Sequence, residues 1–241
     1  MKNKSKKVFN DMLILSKQQE LKISVAKAAL KYVPEGEIIG VGTGSTINYF
    51  IDELYTIKDK IKGAVASSEA TAMKLKKAGI PVITLNDINY LNIYIDGADE
   101  INTTGAMIKG GGAALTREKI IASMAKIFIC IVDSSKVVDH LGKFPLPIEI
   151  IPMASGQIIR QISAWGGQTS LRMSSKKNDD VLITDNGNVI LDVTGISYDD
   201  AKYWESKFNS IVGVVTVGLF AARAADIALI SHDSKVVTKE Y

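Results

Sequence analysis

The chain has 241 residues, 46% hydrophobic and 23% charged, enough apolar material for one large domain or a medium one plus a small one, and too much for a disordered chain. Its 29 basic and 26 acidic residues leave a net charge of +3 with no dense basic face, so nucleic-acid binding is set aside. A single cysteine, Cys130, excludes a disulfide framework and a cysteine-based zinc site, and two distant histidines, His140 and His232, offer little to a His-ligated metal or a Ser–His–Asp triad.

No apolar run reaches the ~20 residues of a membrane span. The basic opening, MKNKSKKVFNDMLIL, has a short apolar stretch broken by Asp11 and no small-residue cleavage site, so a solvated tail and a cytoplasmic setting are expected. Ser16 and Gln19 have capping-box spacing, and Leu21, Val25, Ala28, Ala29 and Tyr32 recur at helical period until Pro34-Glu35-Gly36. A short buried strand over 37–41 and a helix over 45–55 follow. Further strands are predicted at 63–66, 82–85, 91–95 and 126–132, with helices at 69–78 and 113–125. Apolar runs alternating with amphipathic helices describe an α/β fold: a mainly parallel, Rossmann-like sheet with helices on both faces, whose ligands bind beyond the carboxyl ends of the strands.

After Phe144-Pro145-Leu146-Pro147 the pattern changes. A strand at 148–151, a helix at 156–165, a hairpin of 182–184 with 189–193, a helix at 198–209 and a strand at 214–217 suit a small α+β ferredoxin-like domain. Asn186-Gly187 within the hairpin turn predicts type I′ geometry. Residues 225–230 are expected to return to the first sheet. The domain plan is therefore 1–145, a large α/β catalytic domain; 146–216, the small domain; and 217–241, the C-terminal return.

Four loops at successive strand ends carry the chemistry. Gly40-Val41-Gly42-Thr43-Gly44-Ser45-Thr46 lies between strand and helix, where a helix N-terminus and two hydroxyls offer donors to an anion. It lacks the third glycine of a dinucleotide loop and the lysine of a Walker loop, so a small phosphate ester is the functional reading and a tight capped turn the plain one. Ile95-Asp96-Gly97-Ala98-Asp99-Glu100 puts three carboxylates in five residues, which repel one another if desolvated together. A magnesium site is one alternative; another is that Asp99 caps a turn while Glu100 faces water. In Met107-Ile108-Lys109-Gly110-Gly111-Gly112-Ala113-Ala114-Leu115-Thr116-Arg117-Glu118-Lys119, three glycines suggest backbone approaching a ligand. Glu118 falls about two turns into the following helix between two basic residues, an arrangement that by itself usually means a solvated face. Asp133-Ser134-Ser135-Lys136 adds a hydroxyl and lysine loop. Elsewhere, Cys130 reads as a buried strand residue, Trp165 and Trp204 as packing of the small domain, the histidines as surface or capping residues, and Lys22 as exposed on its helix, with a phosphate contact as the alternative.

These motifs closely resemble ribose-5-phosphate isomerase of the A type. The matching stretches are GVGTGST (40–46), YIDGADEIN (94–102), MIKGGGAALTREKIIA (107–122), VDSSK (132–136), LGKFPLPIEIIPMA (141–154), TDNGNVILDV (184–193) and GVVTVGLFA (213–221). They span about nine-tenths of the chain in family order; departures are the basic N-terminal segment and Trp165-Gly166-Gly167-Gln168. The resemblance implies reversible interconversion of D-ribose 5-phosphate and D-ribulose 5-phosphate in the non-oxidative pentose phosphate pathway, with no cofactor or metal, in a homodimer or dimer of dimers. By motif position it places the carboxylate base on Glu118. It places substrate-binding residues on Thr43, Gly44, Ser45 and Thr46, on Asp96, Gly97, Ala98 and Asp99, on Lys109, Gly110, Gly111 and Gly112, and on Lys136.

The implied reaction moves a proton between C2 and C1 through an enediolate, so one base must reach both carbons; a carboxylate does so if partial burial lifts its pKa toward neutrality. Lys109 is then the cation for developing oxyanion charge, and Asp96 or Asp99 handles hydroxyl protons during ring opening, a division the residues leave open. Two other classes are weighed. A sugar-phosphate-sensing domain of a transcriptional regulator normally needs a DNA-binding partner domain, and the first 35 residues are too short for one. A coenzyme A transferase with a glutamate nucleophile fits poorly with the small size and the GTGST loop.

Overall fold

The computed structural model describes residues 17–174, 180–233 and 235–241. The basic opening and the Ser16 end of the expected capping box lie outside them. The first helix, α1, runs over 17–29. There follow β1 (Ile38–Val41), α2 (Ser45–Leu54), β2 (Gly63–Ala66), α3 (Glu69–Lys77), β3 (Leu91–Asp96), β4 (Glu100–Ile101), β5 (Met107–Ile108), α4 (Leu115–Met124) and β6 (Ala125–Asp133). Then come β7 (Leu146–Ile150), α5 (Ser155–Ala164), β8 (Gln168–Leu171), β9 (Val189–Thr194), α6 (Ala201–Asn209), β10 (Val214–Val217), β11 (Leu219–Phe220), β12 (Ile227–His232) and β13 (Lys235–Glu240).

Six strands form the central sheet in the order β13-β12-β6-β3-β1-β2, parallel except at β13. Side chains alternate across it. Ile39, Val41, Ile93, Ile95, Ile129 and Ile131 pack against α1, α2 and α3 on one face. Tyr94, Phe128, Cys130 and Val132 pack with Ile121 and Ala122 of α4 on the other. From β1 the chain goes outward to β2, then crosses to β3 on the opposite side. The crevice above the β1 and β3 ends is thus the point where strand order reverses, the usual place for a ligand.

Residues 225–230 do return to this sheet, as β12 beside β6. The strand expected at 82–85 does not form: Val82 makes a single bridge to Ala64 before a turn at Leu85–Asp87 draws the chain away. A second sheet, β10-β7-β9-β8, is antiparallel and has α5 and α6 on one face. Its fourth-first-third-second order is that of a ferredoxin-like unit, but one edge strand differs from expectation. It is β8, a half-exposed Gln-Thr-Ser-Leu segment, while 182–184 contributes only the Ile183–Val189 bridge. Nor is the turn type I′. Gly187 alone has a positive φ, +80°, and Gly187 N–H donates to Thr184 O, because Thr184 Oγ1 and the Asn186 and Asn188 amides all turn toward Glu149. A small third sheet, β11-β5-β4, ties the ends of the other two together.

Candidate active site

The loops leaving β1 and β3 build one cavity. Gly42 must run against Asp96: a β-carbon there would fall 1.8 Å from Asp96 Oδ1, an approach only glycine permits. It lets Thr43 donate its N–H to that oxygen at 3.1 Å. α2 then starts at Ser45 without a side-chain cap, leaving its first turn open to an anion. Lys22 of α1 reaches the same place, its Nζ donating to Ser45 Oγ at 3.0 Å, and lines the same cavity.

A cluster of hydroxyls behind the loop escaped the sequence reading. Thr43 Oγ1 lies 2.7 Å from Ser67 Oγ, 2.8 Å from Ser68 Oγ and 3.1 Å from Thr71 Oγ1, and Thr71 donates to Gly42 O at 2.8 Å. Ser68 also caps α3 through Thr71 N–H. Ser67-Ser68 directly after β2, with Thr71 three residues on, was the available signal. It reads as an ordinary helix start.

The three acidic residues of 96–100 diverge. Asp96 is fully buried beneath the cavity rather than in its wall. Its Oδ1 accepts from Thr43 and Gly97 N–H, and its Oδ2 from Tyr94 O–H at 2.5 Å and Lys109 Nζ at 2.7 Å. Asp99 does line the cavity, with Oδ2 accepting Gly111 N–H at 2.7 Å. Glu100 does not face water: it is buried and accepts the N–H groups of Gly142 and Phe144, fixing a distant loop.

Glu118 is buried and not on a solvated face, although two basic residues flank it. α4 begins later than expected, because Ala113 adopts φ +60° and the first helical residue is Leu115, so Glu118 sits in the first turn. It shares the buried stripe of Leu115, Ile121 and Ala122, while its neighbours are held at the sides. Arg117 reaches Glu69 Oε1, Asn186 Oδ1 and Asp185 O; Lys119 reaches Glu205 Oε1 and Leu219 O. Glu118 Oε2 lies 3.2 Å from Lys109 Nζ, but without hydrogen-bond geometry, and no other described group donates to it.

Two carboxylates thus share one buried ammonium. Asp96 accepts four hydrogen bonds, whereas Glu118 Oε2 has none, so the proton goes to Glu118. Burial pushes its pKa up to about 8, Lys109 opposes the rise, and Asp96 and Asp99 add to it. Burial works against the Lys109 ammonium, yet Asp96 and Glu118 outweigh it and hold the lysine charged. Burial and Asp96 likewise keep the Tyr94 phenol protonated.

Residues 43–47, 97–99 and 109–112, with Lys22, Glu118 and Lys136, wall the cavity. Of the catalytic and substrate-binding positions that the resemblance implies, Asp96 alone stands outside that wall. The uncapped start of α2 with Lys22 forms one part, a raised-pKa carboxylate with a buried lysine another. Cys130, buried in β6, and Trp165 and Trp204, packed edge-on at 5.9 Å, stay with the core; exposed His140 pairs with Asp199.

The sequence profile of ribose 5-phosphate isomerase A (phosphoriboisomerase A) matches residues 63–235. Among solved structures, ribose 5 phosphate isomerase A from Neisseria gonorrhoeae is 44% identical, covering 92% of this chain and 97% of its own, with TM-score 0.88. The Methanocaldococcus jannaschii enzyme is 40% identical over 93% of this chain and 100% of its own, with TM-score 0.87. A D-ribose-5-phosphate isomerase in complex with phospho-erythronic acid is 39% identical over 92% and 98%, with TM-score 0.87.

Proposed function

The chain belongs to the ribose 5-phosphate isomerase A family, and from that premise we propose that its cavity interconverts D-ribose 5-phosphate and D-ribulose 5-phosphate through an enediolate, with Glu118 as the base. The observation that carries this reading is the Glu118 carboxylate: buried at the cavity wall, short of donors, beside Lys109, with its pKa near neutrality. With a pKa of about 8 its ionised fraction takes the C2 proton, and once protonated it is acidic enough to return it to C1. Lys109 spends two N–H groups on Asp96 and Gly97 O; the third, toward Glu118, is free to follow negative charge onto the substrate oxygens.

The loop at 43–46, the α2 N-terminus and Lys22 hold the phosphate, and that remote anchor orients the reacting carbons. Asp99, with Oδ1 not engaged by Gly111, takes the hydroxyl proton during ring opening. Asp96 serves behind the wall by holding Lys109. Phospho-erythronic acid, bound by one relative, supports the reading because its planar carboxylate imitates the enediolate end of a phosphorylated sugar. The same reading places the reaction in the non-oxidative pentose phosphate pathway, carried out by a homodimer or dimer of dimers.

Turnover in deuterium oxide tests the enediolate. Deuterium is expected on C1 of the ribulose 5-phosphate formed, and Glu118→Gln loses both turnover and exchange. Full turnover with the C2 hydrogen carried entirely to C1 and none drawn from solvent would indicate a hydride shift and overturn the mechanism.

A further inference from the structure

We propose that Arg172 and Asp192, both on the antiparallel sheet, form a positioning pair that sets the peptide planes of the Gly110–Gly112 loop and, through them, the Asp99 carboxylate. Arg172 directly follows β8, and its backbone is locked on both sides: its N–H donates to Ile190 O and its carbonyl accepts from Leu182 N–H. Its guanidinium grips Asp192 of β9 with two groups, Nε donating to Oδ2 at 2.8 Å and Nη2 to Oδ1. The remaining nitrogen, Nη1, leaves the sheet and donates to Gly110 O at 2.7 Å and Gly111 O at 3.1 Å. Both side chains are largely buried, at 14% and 19% exposure, so the fork is fixed rather than sampled.

The consequence follows from peptide geometry. In a planar trans unit the carbonyl and the N–H point in opposite directions. Arg172 pulls Gly110 C=O one way, and the N–H of that unit, on Gly111, points the other way, to Asp99 Oδ2 at 2.7 Å. By the same rule, drawing Gly111 C=O toward Arg172 aims Gly112 N–H away from it, and Gly112 lines the cavity. Within the loop, Gly110 O also accepts Ala113 N–H at 2.9 Å, so the turn closes on itself and Arg172 clamps the same carbonyl from outside. Gly110 sits at φ +106°, and a β-carbon on Gly111 would fall 2.6 Å from Asp99 Oδ1, so no side chain of its own anchors it. A charged donor on the two carbonyls also polarises the units and strengthens the opposite N–H groups. Arg172 touches no cavity surface, so its effect reaches the substrate only through the loop and Asp99.

The inference rests on this cavity being the site of isomerisation. Its test is a kinetic double-mutant cycle. Arg172→Ala is expected to lower kcat for ribose 5-phosphate on the order of tenfold to a hundredfold, the cost of misplacing a reacting group by about 1 Å. Millimolar guanidinium should recover several-fold of the loss. Arg172→Lys, which keeps the charge but not the fork, should stay impaired, and Asp192→Asn should show a smaller kcat defect in the same direction. In an Asp99→Asn background, Arg172→Ala should add little, because both act on one carboxylate. If Arg172→Ala folds poorly, Arg172→Lys and Asp192→Asn in that background make the same comparison. Unchanged kcat and KM in folded Arg172 variants, or effects that add fully to Asp99→Asn, overturn the proposal. Activity retained in Glu118→Gln would instead overturn the reading of the site; an inactive Glu118→Gln beside unimpaired Arg172 variants removes this inference alone.

Discussion

Two glutamates, Glu118 on α4 and Glu149 on β7, are buried to the same degree, and α4 contributes to the surroundings of both. Glu149 accepts hydrogen bonds from Thr116 on α4, from the Thr184 hydroxyl, and from the Asn186 and Asn188 amides. Its desolvation is offset by neutral donors, and the result is a rivet between the helix and the hairpin turn. Glu118 has a shared lysine and an oxygen with no donor. Burial by itself therefore does not equip a carboxylate for the role of base proposed for Glu118. What distinguishes Glu118 is that its hydration was removed without equivalent replacement, so that a proton restores part of the balance.

The contrast is open to attack at several points. The largest effect is expected from Glu118→Gln, which should cost about 10²–10⁴ in kcat while a non-reacting sugar phosphate still binds; near-normal turnover would remove Glu118 from the chemistry. Glu149→Ala should do the reverse. Leaving its donors unpaired should lower unfolding stability by about 2–5 kcal/mol, read by urea denaturation, with kcat per folded molecule largely kept. A kcat loss comparable to that of Glu118→Gln would erase the distinction.

Next in size is the acid limb of kcat/KM. The base must be ionised, so activity should climb about tenfold per pH unit and level near pH 8, the value to which Glu118 is pushed. A limb centred near ordinary carboxylate values would show the carboxyl to be better solvated than its burial indicates. Lys22→Ala should raise KM about tenfold with kcat nearly unchanged, as the loss of one charge-assisted contact to phosphate requires. A fall in kcat alone would place Lys22 elsewhere in the reaction.

A further effect is on stability. Glu118 has a higher pKa folded, about 8, than its ordinary 4.5. The folded state therefore keeps a proton that the unfolded chain has released between those values, and the associated stability, full below the lower value, is lost as pH rises toward 8. The slope is at most ~1.4 kcal/mol per pH unit. Glu118→Gln lacks that proton, so its urea midpoint should change less than the wild-type midpoint between about pH 5 and about pH 8. Parallel changes in the two proteins would contradict the raised value.

Legibility followed the strength of local signals. β1, β3 and β6 are apolar runs buried on both faces, and α2 and α5 carry one clear apolar stripe, so period and flanking glycines located them. β8 was missed because Gln168-Thr169-Ser170-Leu171 is neither apolar nor alternating; it becomes a strand through its ladder with β9. The two-residue strands of the third sheet have no period at all. The turn at 184–188 was misjudged because the Asn-Gly rule considers backbone preference alone, while here the buried Glu149 recruits the side chains around it. Arg172 gave no cue, since its partners Gly110 and Gly111 lie some sixty positions earlier in the chain.

Composition and glycine placement located polar, glycine-rich loops at the strand ends with little imidazole or thiolate available, and the family resemblance carried by the motifs assigned a carboxylate, a lysine and a phosphate cradle to them. These are properties of residue type and local spacing. Which acidic residue faces the cavity, which lies beneath it, and which glutamate is left short of donors depended on groups brought together from β1, β3, α4 and the antiparallel sheet. A desolvation cost, and the donors that offset it or fail to, exist only once those distant segments have closed around a charge.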